Sequence, residues 1–205
     1  METGNKLTLI VALVALAIVL EQTQVDDAYD DPDYEEPDLI DQATALWSDF
    51  IEGGEMTPWE QKNVSAFLQT IRVSEGTSGS DGYSVLVGGG HFDSFADHPR
   101  VLVYLPNLRI NSSAAGAYQI LRRTWDGVAA KLGLPDFSPT SQDRAAVELI
   151  RQRGALADVR AGRFAAAVEK CKKEWASLPG AGYGQRENSL ATLQGAYLSA
   201  GGNVV

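Results

Sequence analysis

Apolar residues fall along the chain in distinct patterns. Residues 7–20 form an unbroken apolar run, whereas residues from 57 onward repeat at mostly helical spacing. The clearest period is Val64, Phe67, Leu68 and Ile71, at i, i+3, i+4 and i+7, which predicts one buried face of a helix. Thr57-Pro58-Trp59-Glu60 is a capping box with proline at the first helical position, so that helix begins there. It runs into Val73-Ser74-Glu75-Gly76-Thr77 and then a loop with Gly79, Asp81 and Gly82. Residues 83–87 are β-like and end in Gly88, Gly89 and Gly90; residues 100–105 are a second such run, ended by Pro106. Together they predict a small antiparallel sheet. Beyond them the period is helical. Ser112 or Ser113 is expected to cap a helix through Tyr118, Ile120, Leu121, Trp125 and Val128 that stops near Gly133. Further helices are expected over residues 141–153, 155–161, 163–176 and 187–200. One small sheet beside several helices makes an α+β, mostly helical domain over residues 57–205.

The segment before this domain has other physics. The fourteen residues 7–20 contain no charge. They are short for a spanning helix of about 17–25 residues and fit the apolar region of an export signal. Lys6 and the α-amine lie before the run, and no Lys or Arg occurs from residue 21 to residue 60, which leaves the N-terminus in the cytoplasm and the body outside. Ala15-x-Ala17 lies inside the run, and Glu21-Gln22-Thr23-Gln24 offers no small residues for cleavage. Residues 1–21 are therefore expected to be an uncleaved signal anchor, marginal enough to leave the bilayer; a cleaved signal peptide and a buried core helix are the alternatives. Residues 22–56 read as an acidic linker. Within it, residues 26–38 are acidic and broken by Pro32 and Pro37, a composition that cannot bury a core. Residues 39–51 predict a short helix through Leu39, Ala43, Leu46, Trp47 and Phe50.

Charge sharpens this division. The net charge of −10 averages two unlike parts: fourteen Asp and Glu with no Lys or Arg over residues 21–60, and sixteen Lys and Arg against twelve Asp and Glu, or +4, over residues 61–205. A mildly basic domain suits an anionic partner such as a cell-wall polymer, a nucleic acid or a membrane surface. No Lys/Arg run is interleaved with aromatics, which argues against nucleic acid. The single cysteine, Cys171, excludes an intramolecular disulfide and reads as a small buried apolar residue. His91 and His98, with Asp93 and Asp97 between them, match no established metal-ligand spacing and read as surface loop residues. No metal or cofactor is expected.

Glu75 is the candidate for chemistry. A carboxylate in the last turn of a helix lies at the negative end of the helix dipole, and partial burial there disfavours its charged form. Both effects raise its pKa toward what a general acid requires. The competing reading is an ordinary solvated glutamate at a helix end.

Several blocks decide between them. They are Ser74-Glu75-Gly76-Thr77, Gly82-Tyr83-x-Val85-x-Val87-Gly88-Gly89, Asp97-His98-Pro99-Arg100, Ala115-Gly116-x-Tyr118-Gln119 and Leu132-Gly133-Leu134-x-Asp136-Phe137-Ser138-Pro139. Arg153-Gly154-Ala155-Leu156 and the run Trp175-Ala176-Ser177-Leu178-Pro179-Gly180-Ala181-Gly182-Tyr183-Gly184-Gln185 continue the series. In this order, over roughly residues 60–203, they resemble the lambda-type phage endolysins, a lysozyme-like glycosidase family. The resemblance implies a lysozyme-like fold and cleavage of the β-1,4 bond between N-acetylmuramic acid and N-acetylglucosamine. It further implies lytic transglycosylation, which breaks the bond without water and leaves a 1,6-anhydromuramyl end. Carried over by position, Glu75 is the acid and base, and Tyr118, Gln119, Tyr183 and Tyr83 are substrate-binding positions. Tyr118, Gln119 and Tyr183 also have plain structural readings, as a core aromatic, an exposed helix residue and turn packing.

A hydrolase of this class uses two carboxylates, roughly 5–5.5 Å apart for retention or 6.5–9.5 Å for inversion, whereas a transglycosylase needs one acid. The lambda-type pattern has an Asp after the Gly-Tyr pair, where this chain has Ser84. That departure favours a single acid. The alternatives are a hydrolytic muramidase using Glu75 with Asp81, and a non-catalytic peptidoglycan-binding or virion structural module. The expected partners are peptidoglycan glycan strands and, through residues 7–20, the membrane; no nucleic acid is expected, and the released protein is expected to be a monomer. The chain is expected in the host inner membrane and then in the periplasm, inactive until released.

Overall fold

In the computed structural model, which describes residues 56–205, helix α1 (Pro58–Glu75) opens at the expected proline. Its inward stripe is Asn63, Val64, Ala66, Phe67, Thr70, Ile71 and Ser74. The helix ends at Gly76, whose φ is +75°. Gly76 N–H donates to Val73 O at 3.2 Å and Thr77 N–H to Arg72 O at 2.8 Å, the paired closure of a helix that stops at a left-handed glycine. A side chain at position 76 would be strained there, so Gly76 fixes Glu75 as the last helical residue. Trp59–Val205 form one compact unit. The apolar run over residues 7–20, the acidic linker up to residue 55 and the short helix expected over residues 39–51 lie outside the described residues. Among the described residues, no helix is long and apolar enough to cross a membrane.

The sheet differs from the expectation. It has two antiparallel strands, β1 (Val103–Leu105) and β2 (Ile110–Ser112), in the register Val103↔Ser112, Tyr104↔Asn111 and Leu105↔Ile110. Residues 83–87 are not its partner. Gly82–Ser84 turn as a 3-10 segment, and Val85 and Leu86 make single bridges to His91 and Ala115. The segment is drawn into this path because Gly82 packs on the loop after α1: a Cβ there would sit 1.8 Å from Thr77 O. The helix expected from Ser112 or Ser113 is also shorter. Helix α2 (Arg122–Leu132) starts only after a tight buried loop over residues 114–120, because Gly116 and Gln119 adopt φ of +76° and +47°. Its N-cap is Leu121 rather than a serine, although Ser113 Oγ, nine residues back, accepts Arg122 N–H at 3.1 Å. Gly133 ends α2 as expected, with φ of +61°.

Helices α3 (Pro139–Gln152), α4 (Leu156–Arg160), α5 (Phe164–Cys171) and α6 (Leu190–Ser199) complete the domain. Helix α5 ends before residue 176 because the chain turns at residues 172–174, where Glu174 N–H returns to Cys171 O at 2.8 Å. Most of α3 is enclosed, with Gln142, Ala145, Ala146, Val147, Glu148, Leu149 and Ile150 buried. Burial alone would raise the Glu148 carboxyl, but bonds from Arg151, Lys131 and Gln152 outweigh it and bring it down to about 2. Two aromatic clusters fill the core. Phe137 contacts Trp125 and His98 at 4.7 and 4.9 Å, and Phe164 bridges Phe67 and Tyr197 at 6.1 and 4.9 Å. His98 is thus a core residue rather than a surface one. Its Nε2 lies 2.9 Å from Ile120 O and its Nδ1 accepts Arg100 N–H, and burial holds its pKa down. Cys171 is buried as well, which pushes its thiol up to about 12.

Candidate active site

The carboxyl of Glu75 leaves the end of α1 toward the segment that follows α5. Ser177 Oγ donates to Glu75 Oε1 at 2.6 Å. Burial pushes the carboxyl above its usual range, and the Ser177 bond pulls it part of the way back. The helix-end position acts in the same direction as burial. Ser177 is held in turn: its Oγ lies 2.7 Å from Ser74 Oγ, and Asn188 Nδ2 reaches Ser74 O and Ser74 Oγ, both at 3.2 Å. The chain between Ser177 and Asn188 is glycine-rich because it doubles back sharply, with Gly180, Gly182 and Gly184 all at φ above +70°. Glu187 ties that loop by accepting Gly180 N–H and Gly182 N–H at 2.8 Å each.

The other positions singled out in the sequence divide into buried and exposed ones. Tyr118 is 1 % exposed, and its hydroxyl donates to Asp143 Oδ1 at 2.5 Å. Its ring has no open face for a sugar. Tyr83 is half-buried; its hydroxyl donates to the same Asp143 oxygen at 2.9 Å, and the Arg72 guanidinium lies 4.6 Å over its ring. Gln119 is on a loop and not on a helix, and its amide donates to Val85 O and Gly116 O at 3.3 and 3.0 Å. Tyr183 is 51 % exposed on the glycine-rich loop, and its hydroxyl donates to Lys173 O at 3.1 Å. Asp81 is in an exposed loop, its side chain 65 % accessible and 3.4 Å from His91 Nε2. The Asp97-His98-Pro99-Arg100 block is a brace: Asp97 accepts from Arg100 and Trp125, and Arg100 also holds Asp126 at 2.7 Å. Among the described residues, no three metal-ligating side chains cluster.

Sequence reasoning missed Ser177, Ser74, Asn188, Asp143 and Gln142. Ser74 carried a usable signal, since it is a polar residue on the apolar stripe of α1. Gln142 carried a similar one on α3. It is fully buried, its Oε1 accepts Ala117 N–H at 2.8 Å, and its amide donates to Tyr83 O and Phe137 O at 3.0 and 2.8 Å.

A family model described as "Endolysin" matches residues 65–204. The endolysin of Escherichia phage lambda is 46% identical over 145 residues, covering 68% of this chain and 91% of that protein. The endolysin of Escherichia phage P2 is 46% identical over 155 residues, covering 69% of this chain and 94% of that protein. Among solved structures, bacteriophage lambda lysozyme complexed with a chitohexasaccharide superposes with a TM-score of 0.67 at 45% identity, covering 70% of this chain and 97% of the other. A second structure of lysozyme from bacteriophage lambda gives a TM-score of 0.64 at 43% identity, with the same coverage.

Asp143, beneath Tyr118 and Tyr83 in the hydrogen-bond order, has a titration of its own. Burial pushes Asp143 from 3.8 up to about 6, against the opposing bonds from Tyr118 and Tyr83 and the charge of Arg72. The unfolded chain ionises this group at lower pH, so the folded state holds the extra proton between the two values. Its contribution to stability is complete below about pH 4 and lost as pH rises through about 6. In Asp143→Asn both tyrosine hydroxyls keep an amide oxygen to donate to, and this titration disappears. The melting temperature of the variant relative to the parent is therefore expected to rise from pH 4 to pH 7. A difference that does not change with pH would remove Asp143 from the account.

Proposed function

The chain belongs to the endolysin family, and on that premise we propose that it cleaves host peptidoglycan as a lytic transglycosylase with Glu75 as its one acid and base. Cleavage of peptidoglycan for host lysis follows from the family itself. The finer reading, transglycosylation over hydrolysis, rests on the environment of Glu75. Its titration is governed by burial and by the Ser177 hydroxyl, and neither is a second carboxylate. Asp81, the candidate partner for hydrolysis, is solvent-exposed and beside His91.

The protonated carboxyl donates its proton to the glycosidic oxygen as the bond from that oxygen to C1 of the muramyl sugar breaks. The carboxylate so formed accepts the proton of the same sugar's C6 hydroxyl while O6 bonds to C1. Glu75 ends as it began, one strand gains a free 4-hydroxyl, the other an anhydro ring, and no water is consumed. The C6 hydroxyl is delivered by the substrate itself, so proximity replaces a positioned water. Tyr183 offers its ring to a sugar from the glycine-rich loop, whereas Tyr83, Tyr118 and Gln119 support the site through their hydrogen bonds. Residues 7–20 carry the domain across the inner membrane with the N-terminus inside, and the chain then leaves the bilayer uncleaved; the support is the charge asymmetry around that run.

Glu75→Gln keeps the size and hydrogen-bonding capacity of the side chain but cannot deliver a proton at neutral pH. It is expected to reduce clearing of permeabilised cells by at least about a hundredfold, with an unchanged circular dichroism spectrum. Substantial residual clearing would remove Glu75 from its role. Mass spectrometry of wild-type digests of sacculi is expected to find anhydro ends; reducing ends would make the protein a hydrolase. Soluble protein from lysing cells is expected to retain residues 7–20, and a soluble form beginning near residues 18–25 would establish ordinary signal cleavage instead.

A further inference from the structure

Behind the Glu75 carboxyl lies a chain of three polar side chains that takes no part in the bond changes above. Ser177 Oγ is 2.6 Å from Glu75 Oε1, Ser74 Oγ is 2.7 Å from Ser177 Oγ, and Asn188 Nδ2 is 3.2 Å from Ser74 Oγ. Counting protons fixes its direction. An amide nitrogen only donates, so Ser74 accepts from Asn188. An ionised carboxylate only accepts, so the single proton of Ser177 points to Glu75 and that of Ser74 points to Ser177. Every donor in the chain then faces the charge. When Glu75 is protonated on Oε2, Oε1 remains a carbonyl oxygen that goes on accepting from Ser177, so the proton to be transferred stays outside the chain. The same three side chains thus keep the acid bonded in either charge state, without moving a heavy atom.

The chain is also anchored at both ends. Ser74 belongs to the buried stripe of α1 and is 8 % exposed. Asn188 closes the glycine-rich loop: its backbone N–H donates to Ser177 O at 2.9 Å and its side chain to Ser177 O at 3.4 Å. The loop that carries Tyr183 and the acid on α1 therefore share one set of hydrogen bonds.

We propose that Ser177 is a positioning residue for the Glu75 acid, and that Ser74 and Asn188 fix the direction in which its hydroxyl points. This rests on the reading of Glu75 as the proton donor. Ser177 stabilises the carboxylate formed after the first proton transfer, which moderates the effect of burial in favour of the neutral form. Removing the hydroxyl makes Glu75 a more reluctant donor that stays protonated to higher pH.

The test is carboxyl-carbon NMR titration of Glu75 in the full chain, beside the pH profile of clearing of purified sacculi. Ser177→Ala is expected to raise the Glu75 midpoint by about one pH unit, as fits the loss of one hydrogen bond to a charged group. The alkaline limb of the activity profile should move up by the same amount. Ser177→Thr, which keeps the hydroxyl, should return both toward the parent, and Ser74→Ala should shift both in the Ala direction by less. An unmoved midpoint in Ser177→Ala overturns the inference and leaves the proposed reaction standing. A midpoint that moves while the activity limb stays fixed removes Glu75 as the acid, and this inference falls with it. If Ser177→Ala does not fold, Ser74→Ala decides: an upward shift supports the chain, and none overturns it.

Discussion

One half-buried carboxyl group at the end of a helix sets the terms for the rest of this domain. Burying an acid favours its neutral form, which is what a proton donor needs near neutral pH, but a buried polar group without partners is destabilising. The fold reconciles the two with one hydrogen bond to a neutral hydroxyl, Ser177 to Glu75 at 2.6 Å. A lysine or arginine in that place would stabilise the anion and pull the pKa below what the chemistry requires. The result is a carboxyl above its usual range that still has somewhere to put its charge.

Holding that contact takes elements distant in the chain. Helix α1 stops at Glu75 because Gly76 turns into the left-handed region, and Ser177 arrives on a segment 102 residues later. The segment is set by Trp175, whose indole N–H donates to Tyr118 O at 3.0 Å. Tyr118 rests on Asp143, and Gln142 one residue earlier holds the backbone of Ala117 and Tyr83. The loop after α1 is fastened to the same unit by Thr77, which donates to Ala117 O at 2.5 Å. Asp143, Gln142 and Tyr118 therefore act on Glu75 indirectly, by keeping the end of α1 and the residue 175–188 segment in register.

Local signals in the sequence carried the helices and the place of Glu75 at the end of α1, and failed where long-range contacts decide. The period through Val64, Phe67 and Ile71, the Pro58 start and the Gly76 stop belong to neighbouring residues, so α1 and Glu75 were legible together. Residues 83–87 read as a strand because Val85, Leu86 and Val87 have strand composition, but the close approach of Gly82 to Thr77 curls the start of the run. The loop over residues 114–120 read as helix because Tyr118, Leu121, Trp125 and Val128 continue one apolar period; the positive φ of Gln119, braced by its own amide on Val85 O and Gly116 O, broke it. The β1–β2 hairpin was only half visible, since Ile110-Asn111-Ser112 has no apolar alternation of its own. Ser177 could not be singled out because nothing within its own neighbourhood in sequence indicates a carboxylate partner.

The claim that burial makes Glu75 a proton donor is tested most directly by measuring the titration of its carboxyl carbon in the wild-type chain by NMR. The account predicts a midpoint above the ordinary glutamate value of 4.5, coinciding with the alkaline limb of the activity profile. A midpoint at or below 4.5 would contradict it, because a glutamate that is already ionised at the working pH has no proton to give.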